Sequence, residues 1–186
     1  LELRLPLIEA DHPVGVRLFN GFYEGSPELV ADLYARTLVL YNYADPPEAG
    51  MEAIETAAAF YTRRFPWLNC ILLKIRHSAE AADRQGTVLR GGVPDRRIEE
   101  YGVRYALDLA INQDASFYLD TRLLRRWLLE QLQAKTVLNT FAYTGSLGVA
   151  ARAGGARRVV FTDLNRRFLN LAKQSYALNG FPVDKA

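Results

Sequence analysis

The sequence predicts an α/β protein: a small α+β N-terminal domain, residues 1–100 with a linking hairpin, then a doubly wound parallel sheet over residues 101–186. Three observations predict it. From Lys135 onward the pattern runs strand, loop, helix, strand, helix, the alternation of a parallel sheet. Upstream, two short apolar runs flank one amphipathic helix. Between them, residues 81–100 are polar and carry Gly86, Gly91-Gly92 and Pro94, the punctuation of a loop or hairpin crossing between domains.

The elements follow in order. Asn20-Gly21, set between apolar residues within Val16–Pro27, is a hairpin turn signal. Thr37–Tyr43 is rich in β-branched and aromatic residues and reads as a strand, stopped by Asp45-Pro46-Pro47. Ile54, Ala57, Ala58, Tyr61 and Phe65 recur at helical spacing, so Met51–Phe65 reads as a helix that Pro66 ends. Asn69–Ile75 is a buried strand. Tyr101–Leu109 alternates and reads as a strand, and Thr121–Ala134 as a helix. Its apolar stripe is Leu124, Trp127, Leu128 and Leu132, with Arg122, Arg125 and Arg126 off it and Asp120 at the N-cap. Then come strand Thr136–Phe141, turn Ala142–Ser146, helix Leu147–Ala153 closed by Gly154-Gly155, and strand Arg158–Thr162. Asn165 caps the last helix, which Asn179-Gly180 closes.

Composition bounds the function. With 186 residues, 49% hydrophobic and 24% charged, the chain can bury a core and is not a disordered tract. No apolar run approaches the ~20 residues of a membrane helix, and Leu1–Pro6 lacks the basic start and long apolar stretch of a secretory signal. The lone Cys70 excludes an internal disulfide framework and a multi-cysteine zinc site, and reads as core. These features point to a cytoplasmic protein with no metal and no membrane partner. His12 and His77 read as ordinary surface or core residues, and Arg63-Arg64, Arg96-Arg97 and Arg166-Arg167 as solvated faces. The net charge of +2 divides unevenly: residues 1–110 hold 12 Lys+Arg against 16 Asp+Glu, and residues 111–186 hold 11 against 5. A basic second half suits a polyanionic partner, although Arg outnumbers Lys 19 to 4, a bias that composition alone can produce.

Ligands of doubly wound sheets bind at the carboxyl ends of the strands. Gly145 allows close backbone approach there, and the helix after it offers N–H donors and a positive dipole end. Asp163 ends the next strand and can accept both hydroxyls of a ribose. The full G-x-G-x-x-G fingerprint is absent, so a nucleoside without a pyrophosphate fits best, which suggests S-adenosyl-L-methionine (SAM). A turn glycine and a capping aspartate with no ligand is the competing reading.

Three segments carry a resemblance. Val137-Leu138-Asn139-Thr140-Phe141-Ala142-Tyr143-Thr144-Gly145-Ser146 resembles the first SAM motif of class I methyltransferases related to the bacterial 23S rRNA 5-methylcytosine enzymes. Val160–Asn165, with the helix ending Ala177-Leu178-Asn179-Gly180, resembles that family's acidic second motif. Ser116-Phe117-Tyr118-Leu119-Asp120-Thr121-Arg122 resembles its Gly-Phe-Phe-Leu-Asp-x-Arg signature. Residues 16–43 are similar to the family's central domain.

The resemblance implies a Rossmann-like methyltransferase sheet and a set of cofactor-binding residues. Asn139, Thr140, Phe141, Ala142, Tyr143, Thr144 and Gly145 would wrap the methionine part of SAM. Asp163 would hold the ribose hydroxyls, Leu164 would pack near the adenine, and Asn165 follows in the same motif. Phe117, Tyr118, Asp120 and Arg122 would close the site from the other side. Arg122, Arg125 and Arg126 are candidates for contact with RNA phosphates or SAM. Asp114-Ala115-Ser116 stands where the family often has Lys-Thr-Gly, and the RNA-binding PUA domain of several relatives is not visible.

The resemblance further implies that the C-terminal remainder is absent. The third strand, a Pro-Pro motif and the cysteine of a 5-methylcytosine mechanism would lie beyond Ala186, so the catalytic residues are unknown and the chain reads as part of a longer protein. The implied function is methyl transfer to RNA, at rRNA cytosine C5. An N- or O-methyltransferase of the same fold acting on a protein or small molecule, and a non-catalytic nucleic-acid-binding module, stay open, as does oligomerisation.

Overall fold

The computed structural model describes residues 1–8 and 13–183; His12 and Asp184-Lys185-Ala186 lie outside the described residues. The chain divides into two compact units, Leu1–Arg96 with Leu109–Ala115, and Arg97–Asp108 with Ser116 onward. These differ from the expected 1–100 and 101–186 in two short segments, for reasons visible in each unit.

In the first unit the elements are β1 (Gly15–Asn20), α1 (Gly21–Glu24), β2 (Leu29–Tyr34), β3 (Thr37–Asn42), α2 (Met51–Arg64), β4 (Cys70–Ile75), α3 (Ala81–Gln85) and β5 (Thr87–Gly91). The strands form one sheet in sequence order, antiparallel except where α2 carries the chain across from β3 to a parallel β4. Leu18, Leu33, Leu38, Leu40, Ile71 and Leu73 form the core with Ile54, Ala58 and Tyr61 of α2, so the helical spacing read from the sequence is the packed face. β2 and β3 are buried along their whole length. Asp32, 1% exposed, is therefore neutralised across the strand pair by Arg17, its register partner, through bonds of 2.7 and 2.9 Å.

Residues 109–115 belong to this unit because buried charge holds them there. The Lys74 ammonium, fully buried on β4, donates to the carbonyls of Gln85, Asn112 (2.7 Å) and Asp114 (3.3 Å). Arg76 donates to Gln113 O and to the Asp114 carboxylate at 2.6 and 2.9 Å. Asp114, the departure from the family pattern, thus has a structural partner.

One local expectation needs correction and another is narrowed. Asn20-Gly21 is not a two-residue turn: the β1–β2 hairpin closes through α1. Gly21 is required by packing, since a Cβ there would stand 1.7 Å from Ser26 O. Residues 81–100, expected as a loop or hairpin, take the hairpin form: they hold α3, the exposed edge strand β5 and the start of the β6–β7 pair at Arg97–Glu100.

The second unit contains β6 (Arg97–Glu100), β7 (Val103–Ala106), α4 (Arg122–Gln131), β8 (Thr136–Thr140), α5 (Ser146–Ala153), β9 (Arg158–Thr162) and α6 (Arg166–Leu178). β6 and β7 pair antiparallel around Tyr101-Gly102, which takes Arg97–Glu100 out of the first unit; the expected strand Tyr101–Leu109 is only β7. β8 and β9 pair in parallel, Thr136 opposite Arg158 through Thr140 opposite Thr162. The strand–helix alternation from Lys135 is thus as the sequence predicts, and Asn165 caps α6 by accepting from Arg167 N at 2.9 Å.

α4 keeps only part of its predicted face, with Leu128 and Leu132 half-buried and Arg126 exposed as expected. Leu124 and Trp127 are 44% and 52% exposed, while Arg125 is the helix's buried residue. Thr121, not Asp120, occupies the cap position, and Asp120 is exposed. Among the described residues no helix is long and apolar enough to cross a membrane.

Cys70 lies in β4, 1% exposed, and its thiol is pushed up to about 11, chiefly by burial and further by the charge of Asp95. The folded chain keeps this proton longer than the unfolded chain, whose thiol titrates near 9.0. The contribution to stability is full below that value and is lost as pH rises toward about 11. At pH 8 a thiol reagent is expected to label native Cys70 at least ~10-fold more slowly than the urea-unfolded chain; equal rates would contradict this burial.

Candidate functional site

The carboxyl ends of β8 and β9 meet in one small network. After β8 the backbone takes left-handed geometry at alternate positions: Phe141 (φ 50°), Tyr143 (φ 51°) and Gly145 (φ 80°). Glycine adopts this freely, whereas a residue with a Cβ gives up ~1–2 kcal/mol, so Phe141 and Tyr143 need support. They have it. Ala142 N donates to Thr162 O at 2.9 Å and extends the ladder, and Gly145 N donates back to Ala142 O at 2.8 Å. Tyr143 N donates to Asp163 Oδ2 at 2.8 Å. The other oxygen of Asp163 accepts from Asn165 N at 2.8 Å, so this carboxylate holds both strand-end loops.

The Ser116–Arg122 segment meets the same loop. Thr144 Oγ1 donates to Ser116 O at 2.5 Å in a buried bond. The Tyr118 ring lies 5.1 Å from the ring of Tyr143, which is in turn 4.5 Å from Phe168 in an edge-on contact. Tyr143 therefore stands between Tyr118 and α6.

The predicted site residues separate by environment. Asp163, Asn139, Tyr143, Thr144, Gly145 and Tyr118 come together around the loop. Ala142 is buried and Thr140 exposed. Phe141 is 90% exposed and Leu164 fully exposed beside Asp163. Asn165 spends its side-chain oxygen on the cap of α6. Phe117 is core: its ring is 4.9 Å from Tyr105 and 4.0 Å from the Arg125 guanidinium. Arg122 turns to Tyr101 (3.1 Å) and Glu100 (3.8 Å). Of the three arginines offered for RNA contact, Arg125 is buried and Arg126 pairs with Glu130 at 3.0 Å on the same helix.

The donor set fits a nucleoside bearing an amino acid. Each Asp163 oxygen accepts one backbone bond, and a carboxylate offers about four acceptor sites, which leaves room for a cis-diol. Asn139 Nδ2 is buried with no hydrogen-bond partner among the described residues, an unmet donor that faces Gly148 in the first turn of α5. A separate concavity of about 650 Å³ is lined by Arg158, Phe161, Leu169, Lys173, Tyr176 and Val183, none of them a predicted site residue.

Sequence reading missed two positioning roles. Asn179, which closes α6 and belongs to the second motif, also pairs through its amide with the β7 backbone, accepting from Arg104 N at 2.9 Å and donating to Arg104 O at 2.7 Å. Ser175 accepts from Ala106 N at 2.9 Å. Periodicity marks such residues as helix, not as partners of a strand distant in sequence.

Gly145 is fixed by contact as well as by φ. A Cβ there would lie 2.6 Å from Ala172 Cβ and 2.9 Å from the Phe161 ring. Gly145→Ala is expected to lower stability by about 1–3 kcal/mol in urea unfolding; no change would show that the loop relaxes freely.

Comparison with known proteins agrees with this geometry. The family described as S-adenosylmethionine-dependent methyltransferase matches residues 17–186. Ribosomal RNA large subunit methyltransferase I of Aeromonas salmonicida is 34% identical over 98% of this chain and 46% of its own length. The protein of the same name from Vibrio cholerae is 33% identical with the same coverage. The chain thus spans about half the length of the curated relatives it matches. Among solved structures, a Streptococcus mutans protein assigned as a SAM-dependent methyltransferase shares the fold, with a TM-score of 0.84 at 24% identity over 98% of this chain and 47% of that one. A second crystal structure at the same TM-score and identity, covering 98% of this chain and 46% of that one, is of a methyltransferase-like protein complexed with SAH. With strand-end loops tied through Asp163 and a family match over nearly the whole sequence, the chain belongs to the S-adenosylmethionine-dependent methyltransferase family.

Proposed function

We propose that this protein transfers the methyl group of SAM to a base of ribosomal RNA, cytosine C5, in the cytoplasm. The observation that carries the cofactor part is the Asp163 carboxylate, anchored by one backbone donor per oxygen and still able to accept more. In this reading Asp163 receives the ribose hydroxyls and Leu164, exposed beside it, covers the adenine. The loop Asn139–Gly145 wraps the methionine, with the unmet Asn139 amide as a donor, and Tyr118 backs the loop through Tyr143. Phe117, Asp120 and Arg122 support the segment that carries Tyr118, and Asn165 fixes the second loop.

When bound, SAM supplies an electrophilic methyl group on a sulfonium centre. The chain's contribution is position. A loop held at both ends keeps the cofactor in one orientation, which converts a bimolecular encounter into an aligned one. Support for the substrate comes from the ribosomal RNA methyltransferases at 34% and 33% identity and from the basic second half of the sequence. A base reached by such an enzyme leaves its stack or lies in an unpaired loop, and RNA held by phosphate contacts is released as salt rises.

The test is calorimetric titration of the full-length protein with SAM. Asp163→Asn, which keeps one acceptor and loses the charge, is expected to weaken binding by ~10-fold or more. Wild-type affinity in this variant would remove Asp163 from the site. Transfer of radiolabelled methyl from SAM to unmodified large-subunit rRNA, mapped to a cytosine, tests the substrate; label in protein or small molecules alone would replace it.

A further inference from the structure

We propose that the buried Glu100–Arg125 pair is a positioning element for the SAM site, acting through the Tyr118 carbonyl and the Thr121 hydroxyl; this rests on the SAM-binding reading above. Arg125 has no exposed surface, and the Glu100 side chain is 1% exposed. The pair is bidentate, Arg125 Nε to Glu100 Oε1 at 2.6 Å and Nη2 to Oε2 at 3.0 Å. The remaining nitrogen reaches the segment after Phe117: Nη1 donates to Tyr118 O at 2.8 Å and to Thr121 Oγ1 at 2.5 Å. Thr121 Oγ1 itself donates to Tyr118 O at 2.9 Å. The guanidinium carbon lies over the Phe117 ring, 4.0 Å from its centroid.

These contacts fix one residue twice over. The Tyr118 carbonyl receives two donors, so the position of its backbone is set, and its ring then meets Tyr143 at 5.1 Å. Tyr143 is the residue whose N–H holds Asp163. A buried ion pair is weak support for stability, because desolvation offsets much of the attraction. A guanidinium fork does fix direction, which a lysine ammonium cannot reproduce. The pair is therefore assigned to geometry: it carries order from the β6–β7 hairpin to the cofactor loop.

The experiment uses the full-length protein, SAM titration by calorimetry, thermal melts, and a matched pair at Thr121. Thr121→Val keeps the shape and removes the hydroxyl; Thr121→Ser keeps the hydroxyl. Thr121→Val is expected to raise the SAM Kd by about 5-fold and Thr121→Ser to restore it to within about twofold of wild type. Arg125→Lys is expected to raise it by ~10-fold or more, with the fold retained by circular dichroism. If Arg125→Lys does not fold, the Thr121 pair decides. Wild-type SAM affinity in folded Thr121→Val, or failure of Thr121→Ser to restore it, overturns the proposal. Where Asp163→Asn weakens SAM but the Thr121 and Arg125 variants do not, positioning alone fails. Where the wild-type protein does not bind SAM, the cofactor reading fails and this inference with it.

Discussion

A guanidinium with no exposed surface must be neutralised and hydrogen-bonded at every nitrogen, or its burial costs several kcal/mol. Arg125 meets that requirement with three different partners, and the second unit is arranged around them. Glu100 must sit at the end of β6, so the β6–β7 hairpin is held against the start of α4. Tyr118 and Thr121 must present oxygens, so the chain between Phe117 and α4 is turned to offer them. Phe117 and Tyr105, neighbours of one another, supply aromatic rings 4.0 and 6.0 Å from the cation. The hairpin's other strand is fastened by α6, through Asn179 and Ser175.

The strand-end loops show a second economy of polar groups. Both oxygens of Asp163 accept from backbone N–H groups of the loops themselves. A charged acceptor held by main-chain donors keeps its direction without depending on flexible side chains. The left-handed residues Phe141 and Tyr143 are tolerated because the loop is fixed on three sides, by the ladder bond to Thr162, by Asp163 and by the rings of Tyr118 and Phe168. Strain of this kind persists only where the surroundings over-determine it.

Much of this was legible in the sequence. β8–α5–β9–α6 follows from β-branched runs, one glycine after the first strand and Asn165 before the last helix, all local signals. Gly145 and Asp163 were legible for the same reason, since each closes a strand in the local pattern, and the family was legible through the resemblance carried by the wording of the Asn139–Ser146, Val160–Asn165 and Ser116–Arg122 segments. What was misread depended on distant residues. Asn20-Gly21 carries a turn signature, but the close approach of Ser26 and Leu29 carbonyls makes Gly21 part of a helical turn. On α4 the stripe of Leu124, Trp127, Leu128 and Leu132 suggested the buried face, while Glu100, 25 residues away, brings Arg125 inside as well and Leu124 and Trp127 stay exposed.

The sequence by itself determined the fold class, the strand–loop–helix order and the identity of the strand-end carboxylate, because these depend on period, turn chemistry and local motif. Only the tertiary structure decided which arginine is buried, which unit residues 97–100 and 109–115 join, and which of the candidate site residues are core. Those outcomes depend on charges such as Lys74, Arg76 and Arg125 finding partners far along the chain. A buried charge is stable only where its partners are, and no local pattern encodes where a distant partner will stand.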